Sequence, residues 1–237
     1  MTGPNVSRAK HDPAPQTHSM TAPADILAEA RRVLEVEAQA VQAMARAIPA
    51  DFTAAVQAVL AAPGRVVVSG LGKSGHVGRK IAATLASTGT PAYFVQSAEA
   101  SHGDLGMITP QDICLLISNS GETAELGDLL AYTQRFDIPV IAISSRADST
   151  LMRAARYQLL LPPAPEACAI GMAPTTSTTL TMAMGDALAV CLMTARGFRA
   201  EDFRTFHPGG RLGAQMARVR AMMHAGTAVP LVAADTP

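Results

Sequence analysis

The chain predicts an α/β fold: a five-stranded parallel sheet, doubly wound into an α-β-α sandwich, with helices ahead of it at the N-terminus. Two observations carry this. From residue 65 onward, short β-branched runs alternate with segments of helical period, the pattern of successive βαβ units. Three of those runs, Val66–Ser69, Ile113–Ser118 and Val140–Ser144, are nearly all apolar, as strands covered on both faces must be.

Each element follows from its residues. Positions 1–22 are polar and rich in Pro, Ser, Thr and His and predict a disordered lead. Over 23–47, Ile26, Val33, Val36, Val41 and Met44 recur near helical spacing until Pro49 ends the pattern. Asp51 reads as the N-cap of a second helix reaching about Leu60, before Pro63-Gly64. Strand Val66–Ser69 leads to helix Val77–Ser87, and strand Tyr93–Val95 to a long loop through Pro110. Strand Ile113–Ser118 leads to helix Thr123–Phe136, and Val140–Ser144 to a helix from Thr150 to about Ala155. A fifth strand, Gln158–Leu161, precedes Pro162-Pro163 and a loop from Glu166 to Pro174. A helix from Thr176 to Arg196 follows, with Gly197 as its stop. Segment 201–213 reads as irregular around His207-Pro208-Gly209-Gly210.

Composition narrows the function. A chain of 237 residues holds one sizeable domain plus appendages. Trp is absent and aromatics are 4%, so the core must come from Ala, Val, Leu, Ile and the 12 Met. Lys+Arg and Asp+Glu balance at 19 each, which removes long-range attraction to nucleic acid or an anionic membrane. Cys114, Cys168 and Cys191 are odd in number, far apart and without CxxC, which excludes a disulfide framework and a zinc knuckle. The leading residues lack the apolar core of a signal peptide, and no apolar run reaches spanning length. A cytoplasmic protein is expected.

Two loops stand out. Ser69-Gly70-Leu71-Gly72-Lys73-Ser74-Gly75-His76 follows the first strand, and Ser118-Asn119-Ser120-Gly121-Glu122-Thr123 follows the third. Helix N-termini carry open N–H groups and a partial positive charge, so two of them at one sheet edge suit a phosphorylated small molecule. Gly70-x-Gly72-x-x-Gly75 also fits a dinucleotide fingerprint. That site wants an acid ending the second strand, where Gln96 is neutral. A Walker A loop would need Gly where Val67 stands. The hydroxyls Ser118, Ser120 and Thr123 exceed what a cap needs, whereas Asn119-x-x-Glu122 is an acceptable capping pair, so Glu122 reads as a cap. Candidates for acid–base work are Glu125, Glu166, His102 and His207. The apolar setting of Glu166 predicts a raised proton affinity, suited to taking a proton from carbon. Either glutamate reads equally as a surface carboxylate. No pair of histidines has metal-ligand spacing.

At these residues the chain resembles the D-arabinose-5-phosphate isomerases of the sugar isomerase (SIS) domain superfamily. The motifs are Gly72–His76, Ser87-Thr88-Gly89-Thr90-Pro91, His102-Gly103-Asp104-Leu105-Gly106, Ser118–Glu122 and His207-Pro208-Gly209-Gly210, in the same order over about residues 25–230. The resemblance implies a flavodoxin-like SIS domain over 23–215, followed by a linker and the start of a cystathionine-β-synthase (CBS) domain over 216–237. It implies interconversion of arabinose 5-phosphate and ribulose 5-phosphate for Kdo synthesis, serving lipopolysaccharide or capsule. By motif, Lys73, Glu125, Glu166 and His207 match catalytic positions. His102, Gly89 and Thr90 match substrate-contacting ones, and Ser74, Ser118, Asn119, Ser120 and Thr123 of the two loops are the residues expected to bind the substrate's phosphate. Members are usually tetramers whose sites cross subunit boundaries. They typically carry a His, able to bind an inhibitory zinc, where this chain has Gln96, and neither a metal nor a cofactor is expected here. Three alternatives stay open: a non-catalytic sugar-phosphate sensor, an isomerase of another small aldose phosphate, and an inactive truncation.

Overall fold

Apolar β-branched runs set the sheet. The computed structural model describes residues 22–207, with strands β1 (Val66–Gly70), β2 (Ala92–Gln96), β3 (Ile113–Ile117), β4 (Val140–Ser144) and β5 (Tyr157–Leu160). All pair in parallel in the order β2-β1-β3-β4-β5. The apolar β1, β3 and β4 take the centre and are buried throughout, while β2 and β5, with their Gln and Tyr, take the edges. Strand order reverses between β1 and β3, which makes a switch point with a crevice outside the strands' carboxyl ends.

The helices are α1 (Pro23–Arg46), α2 (Phe52–Ala61), α3 (Gly72–Ser87), α4 (Ser97–Ala100), α5 (Gly127–Arg135), α6 (Thr150–Ala154), α7 (Thr176–Ala195) and α8 (Ala200–Phe206). Strand alternation sends Val66 and Val68 to one core with Ile81, Leu85, Leu188 and Leu192, beneath α1, α2, α3 and α7. Val67, Cys114 and Leu116 face the other core with Leu126, Leu129 and Met152. The thiol of Cys114 is thus buried, which pushes its pKa up to about 12. Helices α3 and α7 both start at the carboxyl edge of the sheet and lie side by side. A Cβ on Gly185 would stand 2.4 Å from the Ile81 side chain, so glycine sets their approach.

The five strands, their order of appearance and the leading helices follow the sequence expectation. Several boundaries do not. Helix α3 begins at Gly72, not Val77, because Gly75 rests on the strand end: a Cβ there would lie 2.7 Å from the Gly70 carbonyl oxygen. The expected loop after β2 contains α4 and a 3₁₀ turn, Asp104–Met107. The expected helix Thr123–Phe136 divides into a 3₁₀ turn, Ala124–Leu126, and α5. Helix α8 occupies part of the stretch expected to be irregular, with Asp202 accepting from the Arg199 N–H at 2.8 Å. Asp51 holds the N-cap position of α2, yet its carboxylate accepts from the Gln158 N–H of β5 at 2.8 Å. Helix α7 is long and apolar enough to cross a membrane, contrary to the sequence expectation, but it packs as a core helix against α3 and α1. The expected disordered lead, the start of a CBS domain and Pro208-Gly209-Gly210 lie outside the described residues, save Ala22 of the lead.

Candidate active site

The two loops reach neighbouring strand ends. Gly70 of β1 pairs with Ile117 of β3, so the turn after each strand opens on the same crevice. Lys73 and Ser74 lie in the first turn of α3, with Lys73 exposed. The N-cap is Leu71, and no side chain caps the helix. Its leading N–H groups are therefore open to an anion, with the lysine charge beside them.

The second loop bonds to itself. Ser118 Oγ pairs with Thr123 Oγ1 at 2.7 Å and accepts the Gly121 N–H at 3.0 Å. Ser118 is buried, so its hydroxyl shapes the loop. Asn119 and Ser120 are exposed, and Ser120 Oγ accepts from the Glu122 N–H at 3.2 Å. Gly121 turns the chain at φ +68, a conformation that favours glycine. Glu122 does cap a helix, but not its own: Oε1 accepts from the Thr150 N–H of α6 at 2.9 Å. Hydrogen bonds from Thr150, aided by Arg153 and Arg146, hold its carboxyl below the usual range.

Glu125 follows, exposed, in the 3₁₀ turn. His102, also exposed, follows α4 beyond the carboxyl end of β2, and the adjoining Ser101 Oγ donates to Asp128 of α5 at 2.5 Å. Glu166 sits on the loop between β5 and α7, at the N-terminal end of α7. Its Oε2 accepts from the Thr175 N–H at 2.7 Å, Thr175 Oγ1 at 3.1 Å and the Ser177 N–H at 3.2 Å. The expected rise in proton affinity is therefore reversed. Burial raises the pKa, but the donors on Ser177 and Thr175 outweigh it and hold the carboxyl below its ordinary range. The Ala167 N–H bonds Thr175 Oγ1 at 2.9 Å and Thr176 Oγ1 at 3.1 Å, and Arg32 of α1 reaches the Ala167 carbonyl at 2.5 Å. Arg32, Thr175 and Thr176 are site-supporting residues that the sequence reading missed. No local spacing signals them.

Gly89, Thr90 and His207 lie elsewhere. Helix α3 carries the chain about 24 Å, at 1.5 Å per residue, to the amino edge of the sheet. There Phe198 covers Gly89, whose φ is +91, and Arg196 donates to the buried Thr90 hydroxyl at 3.2 Å. Phe206 and Gly89 share a cavity of about 310 Å³ at this edge. His207 follows, its ring stacked on Phe203 at 3.8 Å and Nδ1–H donating to the Phe203 carbonyl at 2.9 Å. Within one chain, then, Lys73, Ser74, His102, Ser118–Thr123, Glu125 and Glu166 lie on segments that leave the carboxyl ends of the strands, and Gly89, Thr90 and His207 lie at the amino edge. Gln96 is engaged by Arg79 at 3.4 Å. Among the described residues no group of three His, Cys, Asp or Glu side chains could hold a metal ion.

The SIS domain model matches residues 59–191, more than half of the chain. The chain belongs to the SIS domain family. Its similarity to named members is high. The arabinose 5-phosphate isomerase KdsD of Yersinia pestis is 52% identical over 206 residues, and that of Pseudomonas aeruginosa 50% over 213. These alignments cover 86% and 90% of this SIS chain but 63% and 65% of the relatives, so the chain spans less than two thirds of their length. A solved structure, the E. coli CFT073 protein c3406 in complex with arabinose 5-phosphate, is 36% identical with a TM-score of 0.77, covering 79% of this chain and 100% of its own.

Proposed function

We propose that this SIS domain is an aldose–ketose isomerase interconverting D-arabinose 5-phosphate and D-ribulose 5-phosphate through an enediolate, upstream of Kdo synthesis in the cytoplasm. One observation carries the reading. A lysine-bearing, uncapped helix N-terminus and a hydroxyl loop stand at adjoining strand ends, where a phosphorylated sugar meets an anion cradle and a cation together. The identity with arabinose 5-phosphate isomerases over most of the chain supports the substrate.

In this reading Ser120, Thr123, Ser74 and the backbone of Asn119 hold the phosphate and orient the sugar. Ser118 maintains the loop. A carboxylate takes the C2 proton of the open-chain aldose. The proton returns at C1 while the hydroxyl proton shifts between oxygens, so the atoms balance. Glu166 is the carbon base, through Oε1, with Glu125 the second candidate. Lys73 stabilises the enediolate oxygen in the crevice. His207 opens the sugar ring, and His102 contacts the sugar.

The position of Gly89, Thr90 and His207 at the far edge supports a homo-oligomer, a tetramer by family resemblance, in which a neighbouring copy brings these residues to the crevice. The deciding experiment mixes the purified chain with arabinose 5-phosphate and EDTA and follows ribulose 5-phosphate. Turnover is expected. Thermal stabilisation by the sugar phosphate without turnover would instead identify a binding domain. Mixing inactive Lys73→Ala and His207→Ala subunits tests the shared site, because partial recovery requires that the two residues come from different copies.

A further inference from the structure

The phosphate loop does not hold its shape alone. Ser118 and Thr123 close it from within, but three further acceptors tie it to the next strand–helix unit. The Asn119 carbonyl accepts from the Ser145 N–H at 3.1 Å, Ser145 Oγ at 2.8 Å and Ser144 Oγ at 3.1 Å. The Gly121 carbonyl accepts from the Leu151 N–H at 3.0 Å. Glu122 Oε1 accepts from the Thr150 N–H at 2.9 Å. Of these, only the Glu122 bond and those of Ser144 and Ser145 Oγ depend on side chains, and Glu122 and Ser145 reach solvent, so they can be changed without opening the core.

We propose that Glu122 and Ser145 are positioning residues that latch the phosphate loop onto the β4–α6 segment, setting its donors in place before the sugar phosphate arrives. The inference rests on the reading of this loop as the phosphate cradle. The physical reason is preorganisation. A loop held only by Ser118 and Thr123 must be ordered on binding, and that cost reduces affinity. Glu122 itself is an anion beside a phosphate site, so its charge opposes binding while its hydrogen bond favours it. The two effects have opposite signs, which makes the latch separable from simple electrostatics.

The test uses direct calorimetric binding of arabinose 5-phosphate, which needs no turnover, to the full chain and to Glu122→Ala, Glu122→Gln, Ser145→Ala and Ser120→Ala. Glu122→Ala is expected to weaken binding about five- to tenfold, the loss of one charge-assisted bond. Glu122→Gln keeps an oxygen acceptor and loses the charge, so it should bind as tightly as the parent or tighter. Ser145→Ala should weaken binding about two- to threefold, because the Ser145 N–H still holds the Asn119 carbonyl. In turnover, the loss should fall on KM rather than on kcat. Equal or tighter binding by Glu122→Ala, with Ser120→Ala weakened, would overturn the latch and leave the cradle standing. Equal weakening by Glu122→Ala and Glu122→Gln would overturn it too, because the retained acceptor would then be irrelevant. If Ser120→Ala also binds normally, the cradle and the latch fall together.

Discussion

The units that follow β1 and β3 share a strand–loop–helix plan and differ in what holds the loop. After β1 there is hardly a loop at all. Gly70 and Gly75 let the helix start against the strand end, and the first turn is left uncapped with Lys73 upon it. After β3 the chain makes a self-bonded turn, a single 3₁₀ turn and only then a helix. The first unit offers charge, through the dipole and the lysine. The second offers shape, through hydroxyls fixed by Ser118, Thr123 and the neighbouring unit. A dianion needs both: the charge attracts it, and the shape fixes where the sugar's carbons fall.

Lys73→Ala attacks the charge and should have the largest effect. It is expected to lower kcat by about 10²–10³, the usual cost of losing one stabilising group at a developing oxyanion, with a smaller change in KM. A drop confined to KM would move Lys73 from the enediolate to the phosphate.

Two glycines test the shape. Gly72 has φ +55 with nothing within 4 Å of an added Cβ, whereas Gly121 has φ +68 and a Cβ there would stand 2.0 Å from Ser149 Oγ. Gly72→Ala should cost only the left-handed backbone strain, about 1–2 kcal/mol. Gly121→Ala adds a clash with the Ser149 side chain and should cost about 3 kcal/mol or more. Denaturant unfolding of both variants checks the gap, and equal losses would show that the β3 loop yields as easily as the β1 turn. Ser120→Ala, milder still, should raise KM for the phosphorylated sugar about two- to tenfold with the fold intact.

The same contrast governs what the sequence could reveal. The strands were legible because β1, β3 and β4 are apolar over whole runs, and the loops because glycine and hydroxyl residues follow them at once. The start of α3 was not legible, because only the approach of Gly75 to Gly70 in space explains it. The partner of Glu122 lies 28 residues on, in another unit, so its Asn119-x-x-Glu122 spacing suggested a local cap instead. Family motifs group Gly89, Thr90 and His207 with Lys73. The length of α3 carries Gly89 and Thr90, and that of α7 carries the segment leading to His207, to the edge of the sheet opposite Lys73. Chain order carries residue identity but not which edge a helix delivers it to.

Thr175→Val, beside Glu166, gives the smallest and most diagnostic effect. The apolar neighbours of Glu166 in sequence suggested a raised pKa, but donors 9 and 11 residues further along, on Thr175 and Ser177, reverse the sign. A depressed carboxyl is ionised through the neutral range, so the stability it contributes is present above the unfolded pKa and is lost only as pH falls through the folded value, below the ordinary 4.5. If Glu166 is the carbon base, the acid limb of kcat/KM should follow the same carboxyl and lie below that value. Thr175→Val removes the Oγ1 donor but keeps the N–H bond to Oε2, and Thr176 Oγ1 still receives the Ala167 N–H. The acid limb should therefore shift upward in pH toward the ordinary glutamate range, and Glu166→Gln should abolish exchange of the substrate C2 proton with solvent. An acid limb that ignores Thr175→Val, together with exchange that survives Glu166→Gln and disappears in Glu125→Gln, would assign the base to Glu125. Glu166 would then be what its bonds already make it, the cap of α7.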